Sequence, residues 1–148
     1  MKRKKITFVC TGNTCRSPMA EAILRAQLKR RKIKWWDVSS CGIHAEVDGT
    51  ISPNSKAALE EINVTVKGFK PRQITQKTIE SSTLIVTMTE NQRLSLGERG
   101  NIRSVREMCG FDIPDPYGCG LEVYRLTRDA LVSVCNTIID DYILKFEE

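Results

Sequence analysis

The chain has 148 residues, of which 41% are hydrophobic and 28% charged, and its formal net charge is +5. This length predicts one domain, residues 1–148, with a proper core. No apolar run is long enough to span a bilayer and no secretory leader precedes the first predicted strand, so we expect a cytoplasmic protein with no membrane partner. The net charge favours an anionic substrate. The basic clusters lack a known nucleic-acid-binding motif, which argues against nucleic acid as a partner.

Six cysteines are spread along the chain, at positions 10, 15, 41, 109, 119 and 135. Their spacing contains no pairwise metal-binding pattern, and neither a metal nor an organic cofactor is expected. In a reducing compartment most of these cysteines should remain free thiols.

The N-terminal segment predicts a strand, a loop and a helix in immediate succession. The apolar run Ile6–Val9 predicts the first strand, and good helix formers follow the loop. Ser17 is expected to cap a helix that extends to about Arg31, with Pro18 in its first turn. The loop therefore lies between a strand end and a helix start, where backbone N–H groups and the helix dipole attract anions.

The loop combines a nucleophile with an anion-binding side chain. Five residues separate Cys10 from Arg16, and a loop of that length can curve so that its amides face one centre. A phosphoryl group bound there would lie above the Cys10 sulfur, and the planar guanidinium of Arg16 would close the rim with paired hydrogen bonds. The amides and the helix dipole favour a thiolate, which is set for in-line attack and a phosphocysteine intermediate. A buried structural cysteine is the alternative, but Gly12, Asn13 and Ser17 in register argue against it.

The rest of the chain alternates between helices and strands. Strands are predicted at residues 35–40, 83–88 and 101–106, and helices at 52–62, 76–81, 89–96 and 121–146, with an irregular crossing at 64–75. The last helix should turn one face to the core, formed by Tyr124, Leu131, Val134, Cys135, Ile138 and Tyr142.

This alternation predicts an α/β fold: a single three-layer domain whose four-stranded parallel sheet has helices on both faces, with the phosphate-binding loop after strand 1. Ligands of such sheets bind beyond the carboxyl ends of the strands. The segment Asp112–Gly118 follows the fourth strand, so it should reach the same edge. Its prolines and glycine predict a fixed loop. That loop offers two candidate proton donors for the leaving group, Asp112 and Asp115.

The chain resembles the low-molecular-weight protein-tyrosine phosphatases. The pattern Cys-x5-Arg-Ser-Pro at residues 10–18 and the segment Asp115–Gly118 carry the resemblance, which covers essentially the whole chain. It implies a cysteine-dependent protein phosphatase that acts on phosphorylated proteins or peptides, with a monomer as the working expectation. It implies catalytic roles for Cys10, Arg16 and Asp115, the last acting first as acid and then as base for the hydrolytic water. The residues implied in phosphate or substrate binding are Thr11, Gly12, Asn13, Thr14, Cys15, Ser17 and Tyr117.

The resemblance also implies supporting roles. Ser40 should hydrogen-bond Asn13 and hold the loop open, and Cys15 should protect Cys10 through a reversible disulfide. Tyr117 should form an aromatic wall of the cleft, with packing beneath the loop as the alternative. His44 is expected to be an exposed loop residue or a wall of the cleft, and Asp112 a solvated turn residue.

Thr14 distinguishes branches of the family. Tyrosine-directed members commonly have a larger apolar β-branched residue there, whereas Gly-Asn-Thr-Cys-Arg resembles the protein-arginine phosphatase branch. Phosphoarginine is therefore the expected substrate, and phosphotyrosine is the alternative. Thioredoxin-linked arsenate reductases have a similar loop, but this chain has Pro18 where they have glutamine, and no cysteine between Cys41 and Cys109 to relay a disulfide. A non-catalytic anion-binding module would need neither the thiol nor Asp115.

Overall fold

One parallel sheet organises the computed structural model, which describes residues 2–146; the ends of the predicted 1–148 domain lie outside that range. The four strands are arranged in the order β2-β1-β3-β4. Their bounds are β1 Lys4–Cys10, β2 Trp36–Gly42, β3 Leu84–Thr87 and β4 Ile102–Ser104. The predicted α/β fold with a four-stranded parallel sheet is confirmed.

Helices follow each strand. Their bounds are α1 Arg16–Arg30, α2 Pro53–Glu60, α3 Gln76–Ser81, α4 Glu90–Leu96, α5 Val105–Cys109, α6 Leu121–Ile138 and α7 Leu144–Phe146, with a π-helical segment at Ile139–Ile143. Hydroxyl side chains accept backbone N–H groups at the starts of α2, α3 and α4, from Ser52, Thr75 and Thr89. None of the helices among residues 2–146 is long and apolar enough to cross a bilayer.

The sheet separates two apolar cores. In β1, Ile6 and Phe8 point to the larger core, which also contains buried residues of α1, α2 and α6. Val9 points the other way, into a smaller core with Ile79 of α3 and Ile85 of β3. This alternation is the period of two expected for strands buried on both faces, and it produces the predicted three layers.

Helix α5 was not predicted. The strand expected to reach Arg106 ends at Ser104, whose hydroxyl accepts the N–H of Glu107 while the Glu107 carboxylate accepts the N–H of Ser104. This reciprocal capping box satisfies two backbone donors that a short helix would otherwise leave open.

The C-terminal helix changes phase near its end. Ile138 and Ile139 are both fully buried, and so is Ile143, whereas Tyr142 is only half-buried. A π-helical turn inserts one extra residue relative to the α-helical repeat. Tyr142 packs against the larger core, as predicted, but it is Ile143, one position further on, that is fully buried there.

Glu61 links the end of α2 to α6 through two arginines, at 2.6 Å from Arg125 and 2.7 Å from Arg128. Hydrogen bonds from Arg125 and then Arg128 lower the pKa of Glu61 from 4.5 to about 2. Because the folded-state pKa lies below the unfolded value, this contact stabilises the fold above about pH 4.5, and its contribution is lost as the pH falls toward 2.

We therefore expect Glu61→Gln to lower the melting temperature at pH 7, and the gap from wild type to shrink toward about pH 3. Glu60→Gln is the matched control, because Glu60 is exposed and forms no ion pair among residues 2–146. Thermal unfolding followed by circular dichroism would check this. An equal gap at both pH values would show that charge pairing is not the cause.

Candidate active site

The loop of residues 11–15 joins the end of β1 to the start of α1 at the carboxyl edge of the sheet. β1 lies between β2 and β3 there, which is where the strand order reverses and where open α/β sheets bind ligands. The prediction that Ser17 caps α1 is wrong: Cys15 is the N-cap residue, with no side-chain cap hydrogen bond. The first N–H groups of α1 are therefore available to an anion.

A bracing segment, residues 43–52, holds this loop from the outside through backbone hydrogen bonds. The carbonyl oxygen of Cys10 accepts the N–H of Ile43 at 3.0 Å, and that of Gly12 accepts the N–H of Glu46 at 3.0 Å. Further bonds of this kind run from His44 to the Thr11 oxygen and from Ser52 to the Thr14 oxygen. Among residues 2–146, the N–H groups of residues 12–15 have no protein partner. Since the carbonyls are bonded outward, these amides can form a cradle for an anion.

Asn13 is the centre of a buried polar network behind the loop. It has the left-handed φ of 58° that asparagine tolerates. Its Nδ2 donates to Ser17 Oγ at 2.8 Å and to Ser40 Oγ at 3.0 Å, and its Oδ1 accepts the N–H of Arg72. The expected hydrogen bond between Asn13 and Ser40 is thus present. Ser40 in turn donates to the buried Glu21 carboxylate at 2.6 Å, which keeps the serine hydroxyl oriented.

Ser17 faces the candidate nucleophile. Its Oγ lies 2.8 Å from the sulfur of Cys10, a residue that is only 2% exposed. Because Asn13 already donates to the Ser17 oxygen, the hydroxyl proton is free to point at the sulfur. A hydroxyl donor at this place can stabilise the negative charge that develops on sulfur when a phosphorus–sulfur bond breaks.

Arg16 connects the loop to the segment that contains Asp115. Its Nη1 donates to the Ile113 carbonyl at 2.9 Å, and its Nη2 lies 3.8 Å from Asp115 Oδ2. The N–H of Ile113 donates to the carbonyl of Met88, directly after β3. Asp115 Oδ1 accepts the N–H of Tyr117, and the Asp115 side chain is 55% exposed. This carboxyl group is therefore held at the rim, where water and substrate can reach it.

Asp112, the competing carboxylate, faces away from the site. Its Oδ1 accepts the N–H of Glu90 at the start of α4, and its Oδ2 lies 3.3 Å from Arg106. It does not line the cavity around Cys10. The expectation of a merely solvated turn residue is wrong, because this side chain ties α4 to the loop before Asp115.

A cavity of about 260 Å³ opens above the loop. It is lined by Cys10, Thr11, Gly12, Thr14, Cys15, Arg16, His44, Glu46, Asp115 and Tyr117. His44 is exposed and forms part of the wall, so both interpretations of this residue hold. Tyr117 is 74% exposed, which contradicts packing beneath the loop and agrees with an aromatic wall.

The described cysteines are all free thiols. Cys15 Sγ lies 3.5 Å from the Tyr124 hydroxyl, whose pKa is raised to about 12 by burial and by the contact with Cys15. Burial also raises the pKa of Cys41 to about 12, so that thiol remains protonated beside the site. The reversible disulfide between Cys10 and Cys15 stays a prediction.

Sequence reasoning missed three residues that shape the loop. A Cβ atom at Gly42 would lie 2.6 Å from the Thr11 carbonyl oxygen, so only glycine fits there. Gln92 completes the capping box of α4 and also donates to Thr11 Oγ1 at 3.2 Å. Glu21 is the third. The capping pattern from Thr89 to Gln92 is visible in the sequence, but the contact with Thr11 spans 81 positions and leaves no local signal.

A cysteine-dependent phosphatase needs a thiol beneath an anion-binding loop and an arginine and a carboxyl group at the rim of that loop. This site contains all of these groups. The family profile described as low molecular weight phosphotyrosine protein phosphatase matches residues 5–145. The chain therefore belongs to this family, and it is a protein phosphatase, a hydrolase acting on phosphorylated proteins.

Relatives and solved structures agree with this membership. The chain is 33% identical over 134 residues to a protein-arginine-phosphatase of Bacillus subtilis, covering 85% of this chain and 88% of that protein. It is 38% identical over 135 residues to the low molecular weight protein-tyrosine-phosphatase PtpB of Staphylococcus haemolyticus, covering 86% and 92%. A mutant of YwlE arginine phosphatase with a phosphorylated active-site serine superposes with a TM-score of 0.86 at 30% identity, covering 95% and 99%.

Proposed function

We propose that this phosphatase removes phosphoryl groups from phosphoarginine in proteins, with Cys10 as its nucleophile, and that it does so in the cytoplasm. The observation that supports this substrate most directly is the position of Thr14, which lines the cavity around Cys10. A reducing compartment suits an enzyme that depends on a free thiol.

In the first step, the Cys10 thiolate attacks phosphorus and the bond from phosphorus to the substrate nitrogen breaks. The electron pair of that bond returns to the nitrogen and Asp115 donates a proton to it, so the arginine side chain leaves as a guanidinium cation. Arg16 and the loop amides hold the three non-bridging oxygens through the transition state. The product of this step is a phosphocysteine.

In the second step, water attacks the phosphocysteine. Asp115, now a carboxylate, takes the proton from that water, and the phosphorus–sulfur bond breaks. The electron pair returns to Cys10, where the Ser17 hydroxyl at 2.8 Å stabilises the thiolate again. Inorganic phosphate leaves and the enzyme is regenerated without a cofactor.

The preference for phosphoarginine rests on the polarity of the cavity wall. Thr14 Oγ1 lies 3.6 Å from the position that a Cβ on Gly12 would occupy and 3.9 Å from Cys15 Sγ, so its hydroxyl stands beside the loop centre. A hydroxyl there can bond a polar guanidino group or water, whereas an apolar branch would favour a flat aromatic ring. The relatives named protein-arginine-phosphatase support this substrate. PtpB and the exposed ring of Tyr117 support phosphotyrosine as the second candidate.

The test is kcat/KM on peptides matched except for phosphoarginine or phosphotyrosine. We expect wild type to prefer phosphoarginine, and Thr14→Ile to shift the ratio of the two values toward phosphotyrosine by about tenfold. Thr65→Ile serves as control, because Thr65 is exposed and does not line the cavity. A wild-type preference for phosphotyrosine would overturn the proposed substrate, and an unchanged ratio in Thr14→Ile would remove Thr14 as its determinant.

A further inference from the structure

Glu46 is a carboxylate at the edge of a loop that is built to bind anions. Its Cγ and Cδ lie 3.7 and 3.8 Å from the position that a Cβ on Gly12 would occupy, and the side chain lines the cavity around Cys10. Its backbone N–H donates to the Gly12 carbonyl at 3.0 Å, which fixes where the side chain starts. A negative charge so close to the loop repels a bound phosphate, and nothing in the fold requires it.

The other charges of the cavity leave this repulsion uncompensated. Besides Glu46, the Arg, Lys, Asp and Glu side chains of the lining are Arg16 and Asp115. Arg16 is already bonded to the Ile113 carbonyl and lies beside Asp115. The wall also contains His44, and Glu46 has no ion pair with any residue of the described range 2–146. One carboxylate thus remains available to a positive group that the substrate would bring.

We infer that Glu46 binds the guanidinium group of phosphoarginine and selects it over phosphotyrosine. This inference rests on the proposed function. In phosphoarginine the positive charge is attached directly to the phosphoryl group, so with the phosphate in the loop the guanidinium lies at the rim. There a carboxylate can accept paired hydrogen bonds from two of its nitrogens. The ring of phosphotyrosine has no positive charge at that place, so Glu46 only repels its phosphate.

Asp115 has a task of its own on the other side of the loop. It lies beside Arg16 and is the proposed proton donor, so it carries a proton while the substrate binds and is not then an anionic partner for the cation. Glu46 stands on the opposite, bracing side of the loop, so the two carboxyl groups can act on the same substrate group from different sides. The guanidinium would remain paired with Glu46 after the phosphoryl group has moved to Cys10.

The chain offers a matched control on the same segment. Asp48 is an exposed carboxylate two positions further on that does not line the cavity. Glu46→Gln and Asp48→Asn each remove one negative charge while keeping side-chain size. Any effect of net charge alone would therefore occur in both variants.

The experiment measures kcat/KM on the matched phosphoarginine and phosphotyrosine peptides, and inhibition by inorganic phosphate, for both variants. For Glu46→Gln we expect about a tenfold loss on phosphoarginine, because a charge-assisted pair becomes a neutral one. We also expect a rise of a few-fold on phosphotyrosine and tighter inhibition by phosphate, because a repulsive charge is gone. Asp48→Asn should change none of these values by more than about twofold.

The outcomes separate this inference from the proposed function. A wild type that prefers phosphotyrosine overturns the proposed substrate, and the inference falls with it. A wild type that prefers phosphoarginine, with the same ratio in Glu46→Gln, overturns only the role of Glu46. Equal losses of Glu46→Gln on both peptides would likewise reduce Glu46 to a structural member of the bracing segment.

Discussion

Cys10→Ser should lose turnover on phosphorylated peptides by at least about 10⁴-fold while still binding phosphate. A serine hydroxyl is not ionised near neutral pH, so the attack on phosphorus loses its nucleophile. The backbone bonds from the bracing segment to the loop do not involve the Cys10 side chain, so the amide cradle should persist. This variant should therefore keep phosphate binding and lose catalysis.

Single-turnover kinetics on the phosphoarginine and phosphotyrosine peptides, with calorimetric titration of inorganic phosphate, would check this. Cys119→Ser is the control, because Cys119 is exposed and lies outside the cavity lining. It should keep both turnover and binding. Turnover of Cys10→Ser within tenfold of wild type would mean that another group attacks phosphorus, and would remove Cys10 as the nucleophile.

Asp115→Asn should lower kcat on phosphoarginine peptides by about 10²–10³-fold, because the leaving group then departs without a proton. The loss should be smaller on an aryl phosphate that carries a nitro group, since that leaving group is stable as an anion. With such a substrate, the slow step becomes hydrolysis of the phosphocysteine, which also lacks its base. The variant should then accumulate protein that is heavier by one phosphoryl group, which intact mass spectrometry can measure.

Asp112→Asn is the matched control for this experiment. Asp112 accepts the N–H of Glu90 and pairs with Arg106 outside the cavity, so its replacement should lower stability and leave kcat within a few-fold. If both variants lost kcat equally, the loop between α5 and α6 would be acting as a structural unit, and Asp115 would lose its assignment as proton donor.

Local signals account for most of what the sequence predicted correctly. The apolar run of β3, the helices predicted to begin near residues 52, 76 and 89, and the loop between β1 and α1 each depend on neighbours in the chain. The start of α5 was visible in the same way, as the pattern from Ser104 to Glu107, but the predicted strand was continued through Val105 to Arg106. Here two local preferences competed, and reciprocal capping prevailed.

Other features depend on geometry that a periodic pattern does not contain. The π-helical turn at Ile139–Ile143 shifts the core face by one residue, and the 3.6-residue repeat cannot reveal where such a turn occurs. The residues that support the loop from behind could not be predicted either. Glu21, Gly42 and Gln92 belong to other elements and meet the loop only in the folded chain. Ser17 was expected to cap the helix, but its hydroxyl bonds Asn13 and faces Cys10, and the helix N-terminus is left open.

In the bracing segment, changes of side chain and changes of backbone have different consequences for this enzyme. It holds the loop with backbone N–H groups, including those of His44 and Glu46, while the side chains of the same two residues face the cavity. Exchanging those side chains leaves every brace in place, whereas an insertion, a deletion or a proline at either position removes or displaces a donor. In directed evolution, residues 44 and 46 are therefore positions to randomise at constant length, and new substrate ranges become accessible by point substitution without rebuilding the catalytic loop.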